Sequence, residues 1–181
     1  MSGNPANARL WEGADVYVSF NLNATKPANA LTPFGVDWDL VGLLDGEAGF
    51  TESREQEETD HYAWGGILMF TGRRNFKLTR TFTAFEHIET TWRLRWPGST
   101  YTAGEREIYV PKKPERVLVA FETTFDDVVH RVISAYQAEI TVNGDITENE
   151  TDPSAIPYLV TFFPDGAGKL LIEQEGTLTS S

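Results

Sequence analysis

The stretch ERVLVAFETTFDDVVHRVIS, residues 115–134, carries two apolar, β-branched runs separated by Asp126-Asp127. Val, Ile, Phe and Thr suit the pleated, half-buried surface of a sheet, and paired aspartates suit a turn. The stretch therefore predicts two strands joined by a tight connection. Upstream, ADVYVSFNL (14–22) alternates Val16, Val18 and Phe20 against Asp15, Tyr17 and Ser19, the period of two of a half-buried strand. Downstream, YQAEITVNGDI predicts a strand ending in a turn at Asn143-Gly144, and IPYLVTFF and KLLIEQ flank PDGAG as a predicted hairpin.

The region between these runs is less uniform. GGILMFTGRRNFKLTRTFTAFE (65–86) predicts two extended runs joined at Gly72 to Asn75. In the second run Phe76, Leu78, Phe82 and Ala84 share one face and Lys77, Thr79, Thr81 and Thr83 the other, while Arg80 interrupts the apolar face. HIETTWRLRWPGS spaces Ile88, Trp92 and Trp96 at helical intervals and then stops at Pro97-Gly98, which predicts one short helix. Many short strands with regular turn signals predict a mainly β fold, an antiparallel β-sandwich or barrel with one short flanking helix, in a single domain spanning residues 1–181.

DGEAGFTESREQEETDHYAWGG (45–66) has no apolar periodicity, and between Asp45 and Asp60 it holds seven acidic residues and one basic one. Residues 45–64 are predicted as a long acidic loop, and a loop of that length inside a compact domain is usually functional or disordered. Residues 176–181 are predicted as a flexible tail.

Composition narrows the function. The chain has no cysteine, which excludes a disulfide framework, a thiolate zinc site and a thiol nucleophile. A formal net charge of -12 opposes binding to nucleic acid through a basic face. The first residues lack an apolar run of signal-peptide length, and no run approaches a membrane span, so the chain is expected to be made and kept in water, without a membrane partner. Charge is unevenly spread, with ten basic against five acidic residues between positions 73 and 116.

No chemistry-bearing motif stands out. Asp60-His61 lacks a companion nucleophile or a His-Glu-x-x-His pattern, the acidic run lacks the order of a calcium-binding loop, and Asp126-Asp127 reads as a turn. No catalytic, metal or cofactor-binding residue is expected. A small-ligand-binding β-barrel is the alternative of a different class, and a hydrolase built on Asp60, His61 or Asp126-Asp127 is a remote one.

The order of segments over residues 14–175 carries a further reading. VYVSFNLNATKPANALTPFGVDWDLVGLLDGEAGFTES, a polar loop, WGG with a hairpin, FTAFEHIETTWRLRWPGS, AEITVNGDITENE and a closing YLVTFFPDGAG together resemble the major tail (tail tube) proteins of long-tailed phages with non-contractile tails, particularly those infecting actinobacteria. That resemblance implies a β-sandwich subunit, six copies closing into a ring, and rings stacking head to tail into a tube through which DNA passes without specific binding. It implies a virion tail location after assembly in the host cytoplasm. The implied partners are further copies of the chain, a tape-measure protein, tail-tip proteins and a terminator; a single-ring terminator or tail-tip component is the close alternative.

By the same resemblance, residues 45–64 take the place of the loop that contacts the neighbouring ring. Glu55, Glu57 and Glu58 are then expected to face a basic region, Arg73, Arg74, Lys77 and Arg80, on the next subunit, with Phe50, Tyr62 and Trp64 as apolar anchors. Gln137, Glu139 and Thr141 are the expected lumen residues, on a surface that does not hold DNA.

Overall fold

The computed structural model describes residues 8–102, 104–111 and 113–178. In chain order the elements are β1 (Gly13–Ser19), β2 (Asp39–Leu40), β3 (Thr51–Tyr62), β4 (Leu68–Ala84), α1 (Glu89–Arg95), β5 (Thr100–Thr102), β6 (Glu105–Glu107), β7 (Arg116–Phe125), β8 (Val128–Ser134), β9 (Ala138–Val142), β10 (Ile156–Phe162) and β11 (Leu171–Thr177). All strand pairs are antiparallel. The expected mainly β sandwich with one short helix is what the chain forms.

Strand β7 organises the molecule. Its body pairs with β1 on one side and β8 on the other, and its first residues, Arg116 and Val117, pair with β9. One sheet runs β2-β1-β7-β8-β11, and the second runs from the start of β7 through β9, β10 and β4 to β3. The chain bends at Ala135 and Tyr136, so that β8 lies in the first sheet and β9 begins the second.

The alternation along each strand supplies the core. Val16, Val18, Val119, Phe121 and Val132 from the first sheet meet Leu78, Phe82, Ile140, Tyr158, Val160 and Phe162 from the second in one buried cluster. Helix α1 adds Leu94, and the Tyr158 hydroxyl donates to the Thr91 carbonyl at 2.7 Å, which gives this buried polar atom its partner. The first sheet is buried on its other face too. There Leu118, Ala120 and Ile133 pack against Ala24 and Trp38 of the proline- and asparagine-containing segment between β1 and β2.

That segment is held by specific bonds. Lys26 Nζ donates to the Ala135 carbonyl at 2.6 Å, and Trp38 Nε1 donates to the Thr25 carbonyl at 3.0 Å. Arg131 is buried and well partnered: Nε pairs with Glu122, Nη1 donates to the carbonyls of Asn29 and Thr32, and the guanidinium lies over Phe34. A buried cation needs this kind of pairing to offset its lost hydration.

Four expectations need correction. Residues 51–62 are not loop but strand β3, paired along β4 from Thr51↔Thr81 to Tyr62↔Leu68. The turn joining these strands lies at residues 63–67, not at Gly72 to Asn75: Gly72 sits within β4 opposite Thr59, and Asn75 (φ 57°) marks a bulge between the Glu55 and Glu57 registers. Third, β10 and β11 do not form a hairpin. PDGAG makes a local turn, with the Asp165 N–H bonded to the Lys169 carbonyl, but β11 crosses to pair with β8 in the other sheet. At the end of the chain, Gly176 and Thr177 belong to β11 rather than to a flexible tail, and residues 179–181 of that expected tail lie outside the described residues.

Candidate functional site

Strand β10 pairs with β4 only over residues 78–84. Beyond Leu78, β3 and β4 therefore continue without a third strand among the described residues, as a two-stranded arm about 30 Å long at the usual rise per residue. Every residue of β3 is exposed, and so are Leu68, Met69, Phe70 and residues 73–77 of β4. A lone two-stranded ribbon is marginal in water, so its cross-strand pairs matter.

Those pairs are graded along the arm. Near the body, Glu55 stands opposite Lys77, Arg74 Nε lies 3.6 Å from Glu57 Oε2, and Arg73 Nε donates to Glu58 Oε1 at 2.9 Å. Asn75 Nδ2 also donates to Glu57, at 2.7 Å. Farther out, the hydroxyls of Thr71 and Tyr62 donate to Asp60 at 2.7 and 3.2 Å, and His61 stacks on Phe70 with ring centroids 4.5 Å apart. The tip is apolar. Trp64 is 101% exposed, and Tyr62, Ile67, Leu68, Met69 and Phe70 are all more than half exposed.

The turn itself depends on glycine. Gly65 and Gly66 both have positive φ (90° and 77°), and the Ala63 N–H to Ile67 carbonyl bond of 2.8 Å closes the loop. The outer edge of β3 is guarded by charge, since acidic side chains at 52, 55, 57, 58 and 60 oppose indiscriminate pairing with another strand.

This geometry rearranges the expected contact residues. Within the chain, Arg74 and Arg73 are the cross-strand partners of Glu57 and Glu58 on the same arm. Exposed pairs of this kind contribute about 0 to 1 kcal/mol each, enough to favour one register of the arm. Tyr62 and Trp64 do stand free at the tip, whereas Phe50 packs edge-on against Phe121 at 4.9 Å, beside the core. Ile67, Leu68, Met69 and Phe70 join Tyr62 and Trp64 at the tip, and an apolar run within a predicted extended segment carries no signal of such exposure.

Arg80 differs from the other three bases. It shares the inward face of β4 with Leu78 and Phe82, and its guanidinium lies 4.9 Å from the Phe121 ring centroid. Nε and Nη1 are buried without a hydrogen-bond partner among the described residues. Burial pushes its pKa down from the usual arginine range, opposed by the fields of Glu52 and Glu173.

The expected lumen residues lie on the outward face of the second sheet. Register places Glu139 beside Thr161 and Thr79, and Thr141 beside Leu159 and Thr81, so that hydroxyls form much of this face. Its ion pair, Arg116 with Glu139 at 3.0 Å, is internally balanced. Gln137 is half-buried just before β9 and bonds through its carbonyl to the Phe163 N–H.

The histidines and the paired aspartates are dispersed. His61 is on the arm, His130 lies 2.7 Å from Glu173 under Trp11, and His87 is exposed before α1. Asp126-Asp127 form the β7–β8 turn, with Asp126 at φ 47°. Among the described residues, no group of three or more His, Asp or Glu side chains is placed to hold a metal ion, and no helix is long and apolar enough to cross a membrane. Compared with models of known protein families and with curated proteins, the chain matches none.

Proposed function

We propose that the protein is a structural subunit that polymerises with copies of itself through the β3–β4 arm, as the tail tube protein of a long, non-contractile phage tail. In this reading six copies close a ring, the arm of each reaches the next ring, and the stacked rings form the conduit for DNA. Subunit contacts carry the function, without catalysis or a cofactor. Tape-measure, tail-tip and terminator proteins are its further partners, and its place is the virion tail, after assembly in the host cytoplasm.

The observation that carries the proposal is the arm. A ribbon exposed on both faces and ending in Tyr62, Trp64, Ile67, Met69 and Phe70 leaves a large apolar surface in water, which a monomer gains nothing by displaying. An arm tip meeting a different surface of the next copy is a head-to-tail contact, and such contacts propagate. Because Glu57 and Glu58 are paired within the arm, the attraction between subunits comes from the apolar tip rather than from opposed charges. The outward face of the second sheet suits a lumen, since hydroxyls form much of it and its Arg116 is paired with Glu139.

Sedimentation velocity of the double variant Trp64→Ala, Phe70→Ala tests this. Each side chain loses an aromatic anchor, so association is expected to weaken about 100-fold or more while far-ultraviolet circular dichroism stays unchanged. Equal association of variant and parent would remove the arm tip from the contact. Discrete rings that never stack would instead favour the single-ring terminator or tail-tip role.

A further inference from the structure

We propose that the cleft beside Arg80 is a binding site for a carboxylate, whether or not the chain polymerises. The cleft has a volume of about 490 Å³, and Trp11, Phe50, Thr123 and His130 line it together with Arg80. That is the size range of sites for small ligands or for one inserted side chain.

Arg80 has an unmet need. A guanidinium stays charged in a protein, and burying its N–H groups without acceptors is costly. The same chain shows how it meets this need elsewhere, since buried Arg131 is bonded to Glu122 and to two backbone carbonyls. Arg80 has no comparable set. Its cross-strand neighbour Glu52 is turned to Arg54, with contacts of 2.9 Å to Nε and 2.7 Å to Nη2, and Glu173 is bonded to His130. The rings of Phe121 and Phe50, 4.9 and 5.8 Å from the guanidinium carbon, attract the cation but accept no conventional hydrogen bond from it.

A carboxylate entering from the cleft would supply the missing acceptors, because its two oxygens match the guanidinium fork. Nε and Nη1 are shut off from solvent, so binding draws the side chain toward the cleft by a rotamer-scale movement. Phosphate also fits the fork, but Glu12 and Asp45 line the same cleft and disfavour a dianion more than a monoanion. The carboxylate belongs either to a small molecule or to an acidic side chain of a second copy.

Nitrogen-15 NMR of the Arg80 Nε–H group distinguishes these. Sodium benzoate is added over about 1 to 50 mM, the range for a single charge-assisted contact, with sodium chloride of equal ionic strength as control. The expected result is a saturable shift of Arg80 Nε–H and of the Phe50 amide, absent with chloride; in Arg80→Lys, which lacks the fork, the Phe50 amide should report binding weakened at least about fivefold. A dilution series without benzoate forms the second arm. A shift that follows protein concentration assigns the carboxylate to a second copy. A resonance that moves in neither series, or moves equally with chloride, overturns the proposal, and the parent protein alone suffices for that test if Arg80→Lys fails to fold.

Discussion

Replacing residues 56–76 by Asn-Gly, so that Glu55 joins Lys77 through a two-residue turn, is expected to give a folded monomer that no longer self-associates. Glu55 and Lys77 already stand opposite each other, and Asn-Gly supports the tight turn that matches strand twist. None of the removed residues belongs to the core cluster or to the side chains packed against it. Denaturant midpoints should therefore differ little between shortened and parent protein, with stability changed by about 0.5 kcal/mol or less. Light scattering should report the monomer mass at every concentration. Aggregation or unfolding of the shortened protein would mean that the arm stabilises the sandwich itself, contrary to the exposure of both its faces.

The largest loss of stability is expected at Phe121. Its ring meets Phe50 at 4.9 Å, Phe82 at 6.0 Å and Phe162 at 6.4 Å, and it carries the Arg80 guanidinium on its face. Phe121→Ala removes the ring at the centre of β7 and opens a cavity between the two sheets, at a cost of about 3 to 5 kcal/mol. Against a total stability of about 5 to 15 kcal/mol, that is a large fraction, and Tm should fall by roughly 10 °C. Phe76→Ala is the matched control: Phe76 is 49% exposed on the arm, and its loss should change stability by about 0.5 kcal/mol or less. Similar losses for the two variants in urea denaturation would contradict the division into a packed sandwich and a free arm.

Strands β7 and β8, buried on both faces over much of their length, were legible as apolar, β-branched runs, and other elements were legible because their faces differ in environment. Val16, or Ala138 and Ile140, alternate with half-buried neighbours because one side of each strand faces the main core cluster. The short helix announced itself through Trp92 and its stop at Pro97-Gly98. Strand β3 had no such signature. Both its faces meet water, so nothing selects alternating apolar residues, and the strand exists through pairing with β4 across a turn that only its two glycines signal.

The same cause hid the site. Acidic residues on β3 and basic residues on β4 looked like two poles of a molecule, whereas the register makes Glu57–Arg74 and Glu58–Arg73 neighbours. Pairing across strands is not written in either strand alone. Nor could PDGAG reveal that β11 leaves for the other sheet, since a turn specifies a reversal and not the next partner. Arg80 was the exception: a charge on the apolar face of its strand was visible in sequence, and its burial beside Phe121 follows from that position.

Negative-stain electron microscopy of the purified protein at high concentration, with its mass in solution measured alongside, tests the polymer reading most directly. Hollow tubes of stacked rings, present for the parent chain and absent when residues 56–76 are replaced by Asn-Gly, are the predicted result. Particles of monomer mass at every concentration, or tubes that form equally well without the arm, would contradict it.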